Sequence, residues 1–134
     1  MIRDEIVLEI GQLVFRAANE TSADWAYAGY VYQTADGKNS SRQNFLFEAG
    51  LERRFLNDKS IKRNIRTIFP RLWQVVTDND ENHPVTIKVG VRAANRDLKV
   101  LFEFDDGNRW AVGPGNVAQV TQIYLGDLFP DAFL

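Results

Sequence analysis

The 134-residue chain is predicted to form an α+β domain: a four-stranded antiparallel sheet with helices packed on one face, in the order α-β-β-α-β-β-α. Three observations predict it. Segments 2–18 and 58–77 carry apolar residues at helical spacing. Two pairs of β-prone runs, 25–33 with 43–49 and 85–93 with 98–104, are each joined by a short polar connection. The second pair alternates strictly, so one face of the sheet is wetter than the other.

In the first helix, Ile2, Ile6, Ile10, Leu13, Val14 and Ala17 share a face. Leu8 and Phe15 fall on another, where they either meet a second neighbour or form an exposed strip. The run WAYAGYVYQ carries bulk on both sides, as a strand with little solvent on either face does. Gly29 within it marks a bulge or a close backbone approach. ADGKNSS supplies the turn, with Asp36-Gly37 its strongest signal.

In the second helix, Ile61, Ile65, Ile68, Phe69, Leu72 and Val76 form the stripe. Pro70 should kink this helix or split it near Phe69. Residues 78–84 read as a loop. Val85, Ile87, Val89 and Val91 then face the core, with Thr86, Lys88 and Arg92 in water. On the partner strand Leu98, Val100, Phe102 and Phe104 face in and Lys99 and Glu103 out. Cross-strand Lys–Glu contacts on the wet face, about 0.2–1 kcal/mol each, should follow. Asn116 is a plausible N-cap for a last helix built on Val117, Val120, Tyr124, Leu125 and Leu128. Gly126 should end or weaken it, and Pro130 should stop it.

No repeat, low-complexity tract or linker interrupts the chain, so 1–134 reads as a single domain. Without cysteine there is no disulfide frame, thiolate metal site or Cys nucleophile, which suits a reducing cytosol. Asp4, Glu5 and Glu9 break up the apolar core that a signal peptide needs, and no apolar run approaches the ~20 residues of a membrane span. A cytoplasmic location without membrane contact is expected.

Catalytic patterns are weak. The single histidine, His83, precedes Pro84 in a polar loop with no partner to orient it. No nucleophile elbow, zinc-protease helix or P-loop motif occurs, and Gly113-Pro114-Gly115 reads as a turn. Residues 78–82 start like a calcium loop, but His83 stands where that loop needs glycine and Val89 where it needs a bidentate glutamate. No metal or cofactor is expected.

Charge is segmented. Residues 51–72 hold seven basic and two acidic side chains, while 1–50 hold four and seven and 73–134 five and nine. Lys59, Lys62, Arg63 and Arg66 recur at helical spacing after Arg53 and Arg54. This segment reads either as a solvated helix face with internal salt bridges or as a nucleic-acid contact using 53–71. In LKVLFEFDDGNRW, Glu103, Asp105 and Asp106 end a strand at a Gly-containing turn. They read as a solvated strand end or an acidic partner-binding patch. A small hydrolase using them would need a deep pocket to hold one carboxyl protonated.

Taken together, several stretches resemble the YezG-like immunity proteins of bacterial polymorphic toxin and contact-dependent inhibition systems. They are the N-terminal amphipathic helix, the Trp25-to-Tyr32 strand and Phe45-Leu46-Phe47. Leu98–Asp106 with Arg109 and Trp110 follow, and then Tyr124-Leu125-Gly126 ahead of Pro130. The resemblance spans most of the chain; the basic 53–71 segment with Pro70 departs from it. It implies a non-enzymatic cytoplasmic protein that binds the C-terminal toxic domain, often a nuclease, of a cognate effector. Charge and expected exposure, rather than the family, then select Asp105, Asp106, Arg109 and Trp110 as the toxin-facing surface, with Asp78, Asp80 and Glu81 as neighbours. The competing place for Trp110 is the core, capping the sheet.

Overall fold

A computed structural model describes residues 2–37, 39–48, 51–53, 55, 59–80 and 82–133. Helix α1 spans Ile2–Thr21 and is followed by strands β1 (Tyr27–Thr34), β2 (Ser40–Glu48) and β3 (Leu51–Arg53). Helix α2 spans Lys59–Asp80, and β4 (Thr86–Arg92) and β5 (Leu98–Glu103) follow it. A short helix α3, Val120–Leu125, lies between 3₁₀ turns at Val117–Gln119 and Pro130–Phe133. The class is α+β and the order α-β-β-α-β-β-α is as read from the sequence. The four long strands form one antiparallel sheet, which β3 extends at one edge to give the order β3-β2-β1-β4-β5.

One face of the sheet presents Ala28, Tyr30, Tyr32, Leu46, Ile87, Val89 and Val91 to α1 and α2. The apolar face of α2 is the one the spacing predicted, as is that of α1 apart from Ile2, which is 64% exposed, and Phe69 of α2 stacks on Tyr32 with ring centroids 5.1 Å apart. The expectation that all helices share this face is corrected. Val31, Phe45 and Phe47 point to the opposite face, where Trp110, Tyr124, Leu125, Leu128 and Phe129 cover them. Tyr124 stacks on Phe45 at 4.7 Å. The physical reason is bulk: aromatic side chains on the second face of β2 expose too much apolar surface to be left in water.

This cover changes two further expectations. Thr86 and Lys88 lie under it, so they are buried rather than wet. Lys88 is opposite Leu101 and Thr86 opposite Glu103, so the Lys–Glu pairs do not form. Pro70 sits inside α2 without splitting it. Residues 78–80, expected as loop, are the last turn of α2. At Gly29 the ladder runs unbroken on both sides, which excludes a bulge there. A Cβ at this position would stand 2.0 Å from the Val89 carbonyl oxygen, so close backbone approach is the reason for glycine. Asn116 makes no side-chain cap; it accepts from the Gly113 amide at 2.7 Å and donates to the Ala111 carbonyl at 2.9 Å. Pro130 opens the final 3₁₀ turn rather than ending all structure.

Candidate functional site

Strand β5 delivers Glu103 into the turn that carries most of the sequence-predicted site. The Glu103 carboxylate accepts the backbone N–H groups of Asp105 (3.1 Å) and Asp106 (3.4 Å). Arg109 donates to Glu103 at 2.8 Å and to Asp127 at 3.1 Å. Trp110 Nε1 donates to the same Asp127 oxygen at 3.0 Å. These donors hold Glu103 below the usual carboxylate range, the Asp105 amide contributing most. The Trp110 donor does the same for Asp127, with help from Lys88 and Arg109. Glu103 is thus a fixed acceptor that shapes the turn and no proton donor at neutral pH.

The turn presents Asp105 and Asp106 to solvent. Asp106 also accepts the Asn108 amide at 2.9 Å, and the Asp105 carboxylate has no partner among the described residues. Arg109 is exposed but tied at both ends. Trp110 is 3% exposed, so its place on the partner-facing surface is corrected: it caps the second face of the sheet. Beneath it lies a residue the sequence reading missed. Lys88 Nζ sits 4.3 Å from the Trp110 ring centroid and donates to the Ile123 carbonyl at 3.0 Å. Burial lowers its pKa to about 7, Asp127 opposing and Arg109 reinforcing the shift.

Loop contacts gather the remaining acidic positions toward one end of the sheet. Thr34 N–H bonds the Val85 carbonyl and Val85 N–H the Glu103 carbonyl, at 3.0 and 2.8 Å. Trp73 Nε1 donates to the Pro84 carbonyl at 2.9 Å, and the Gln33 side chain bonds the Gly107 carbonyl. The β1–β2 turn, the α2–β4 loop and the end of β5 therefore adjoin. Asp78 is exposed on the last turn of α2 and accepts from Gln74 at 2.7 Å. Asp80 closes that helix, and Glu81 lies outside the described residues.

The same strand is also an open edge. Arg92 N–H bonds the Asp97 carbonyl at 2.9 Å, which sets the alternation of the β4–β5 ladder. Leu98, Val100 and Phe102 consequently aim their backbone N–H and C=O groups away from β4. Nothing pairs with those groups among the described residues. Beside this edge a groove of about 480 Å³ runs between α1 and β5, with Leu8, Phe15, Val91 and Leu98 as its apolar lining. Leu8 is 58% exposed, whereas Phe15 packs edge-on against Trp25 with ring centroids 5.3 Å apart, so the two residues do not form a continuous exposed strip. Arg96, at φ 57° in the β4–β5 turn, lays its guanidinium 5.1 Å from the Phe15 ring centroid.

On α2, Lys62, Arg63 and Arg66 are exposed, and the expected internal salt bridges do not form among the described residues. Among the described residues, α2 does make an ion pair between Arg71 and Glu9, at 4.0 Å. Arg53 lies in β3 and Lys59 starts α2, while Arg54 lies outside the described residues. Exposed His83 has its ring 5.7 Å from Trp73, and no group of three or more metal-ligating side chains occurs among the described residues. No protein-family model and no curated protein matches the chain.

Proposed function

We propose that this protein works by binding another protein, as an immunity-type inhibitor of the C-terminal toxic domain, of nuclease class, of a cognate bacterial effector. The observation that carries the reading is the continuity of β5: its unpaired backbone edge runs from the groove at Leu98 to the exposed acidic turn at Asp105 and Asp106 beyond its other end. An extended segment of the toxin adds to the edge at Leu98, Val100 and Phe102, and its main chain supplies hydrogen bonds while its side chains enter the groove. The carboxylates meet the basic surface with which a nuclease holds its substrate, which speeds association and occludes that surface. Trp110 supports the turn from within, and Arg109 braces it between Glu103 and Asp127.

Calorimetry with the purified toxic domain of the proposed cognate effector tests the reading. Reversing both charges (Asp105→Lys with Asp106→Lys) should weaken binding by about tenfold or more while circular dichroism stays unchanged. Full affinity in that variant excludes the turn, and no binding by the unaltered chain excludes the immunity function. A second reading, nucleic-acid binding on the basic 53–71 segment, draws support from Lys62, Arg63 and Arg66 of α2, which have no ion pair among the described residues. The oligonucleotide titration described below bears on it.

A further inference from the structure

A second concavity lies between α2 and the β1–β2 pair, away from the β5 edge. It holds about 210 Å³ and is lined by Tyr30, Arg42, Asn44, Lys62, Ile65 and Arg66. Lys62 and Arg66 stand four residues apart, neighbours on one face of α2. Arg42 and Asn44 stand two apart on β2, so both project from the sheet face that α2 covers. Asn44 is the cross-strand partner of Tyr30. Two elements thus aim three cations at one space.

Among the described residues no carboxylate lines that space, and none of the three cations has an ion pair. Arg42 gives one N–H to Ser40 Oγ at 2.9 Å, which leaves the rest of its fork available. The floor is built by packing: Phe55 meets Tyr30 edge-on at 5.5 Å, and the Phe55 amide donates to Asn44 Oδ1 at 3.1 Å. Burial pushes the Tyr30 phenol up to about 12, with Arg42 opposing, so at neutral pH it is an uncharged donor. Three like charges that converge with no counter-charge among the described residues repel one another, and a bound anion relieves that repulsion. The background is a chain of net charge −2, so the cluster is not a general cationic surface.

We infer that this cavity is an anion site for a phosphoryl group, with Arg42 and Arg66 supplying planar forks of donors and Lys62 a point charge. Guanidinium forks match phosphoryl oxygens two at a time, and the cavity admits the group with a substituent attached. The site stands whether or not the β5 edge binds a toxin. The phosphoryl group belongs either to a small metabolite or to a nucleic-acid strand, which present the same oxygens.

Amide NMR of the full chain, titrated with inorganic phosphate at ionic strength held constant with sodium chloride, tests it. Saturable shifts should cluster at Arg42, Asn44, Lys62 and Arg66. Arg42→Gln and Arg66→Gln should each weaken phosphate binding by about tenfold. Arg63→Gln, exposed on the same helix but outside the cavity, should leave it unchanged. No saturable shift, or equal loss in Arg63→Gln, overturns the site. A short single-stranded oligonucleotide then names the source. Competition with phosphate at the same amides, lost steeply with salt, assigns nucleic acid; no competition, with phosphate binding intact, assigns a small phosphorylated molecule.

Discussion

Individual residues carry two strict demands. At Gly29 the β1 backbone lies against β4 and against the Phe45 ring, 2.6 Å from where a Cβ would be. Gly29→Ala should cost about 3 kcal/mol, because the neighbour on one side is backbone and cannot swing aside. Urea denaturation measures this, and a loss under about 1 kcal/mol would mean that β1 and β4 separate easily. Lys88 is the other demand. Its amine ionises near 7 in the folded protein and near the ordinary ~10.4 when unfolded. Between those values the unfolded chain binds more protons, so stability rises with pH, by up to about 1.4 kcal/mol per unit. Below 7 both states are protonated and this contribution to the slope vanishes. Tyr30 opposes only above about pH 10, where the unfolded phenol ionises first. Denaturation from pH 7.5 to 9.5 should show the rise in the native chain and lose it in Lys88→Met. Equal slopes in both would place the Lys88 pKa at its ordinary value. Gly29 was legible as a close approach or a bulge, since only those explain glycine inside so aromatic a strand. Lys88 was not legible: alternation put it on the wet side, and nothing local says that Trp110 and Tyr124, more than twenty residues on, cover that side.

At the scale of elements, the long helices were readable because their apolar stripes repeat over several turns. The edge strand β3 was not, since Leu51–Arg53 is three residues long with two charges, and its pairing with Leu46–Glu48 is what makes it a strand. The place of α3 could have been inferred. Phe45 and Phe47 alternate with Leu46, and all three are buried, so both faces of β2 needed cover. Two helices on one face leave the aromatic pair bare, and the C-terminal segment was the cover remaining. Pro70 is accommodated in one unbroken helix because the apolar stripe continues on both sides, through Ile68, Phe69, Leu72 and Val76. Packing there outweighs the lost hydrogen bond. The candidate site was legible in part for the same reason. Asp105 and Asp106 announced an exposed turn, whereas the carboxylate network beneath it joins Glu103 to Asp127 across a distance that no spacing rule covers.

For the whole molecule, segmented charge was the informative sequence property, and its meaning became spatial only once folded. The basic segment concentrates on one side of α2, where sheet residues Arg42, Asn44 and Tyr30 complete a cavity around it. Acidic residues gather at the end of the sheet where β5 finishes. Among the described residues no helix is long and apolar enough to cross a membrane. Two chemically opposite surfaces on different elements suit recognition of charged partners, and the open β5 strand runs to the acidic one. Amide hydrogen exchange at Leu98, Val100 and Phe102 reads that strand directly, before and after addition of the toxic domain of the proposed cognate effector. Those three amides should exchange quickly in the free protein and become protected by about tenfold or more in the complex. Protection already present in the free chain, or rates that binding leaves unchanged, would contradict docking at the β5 edge.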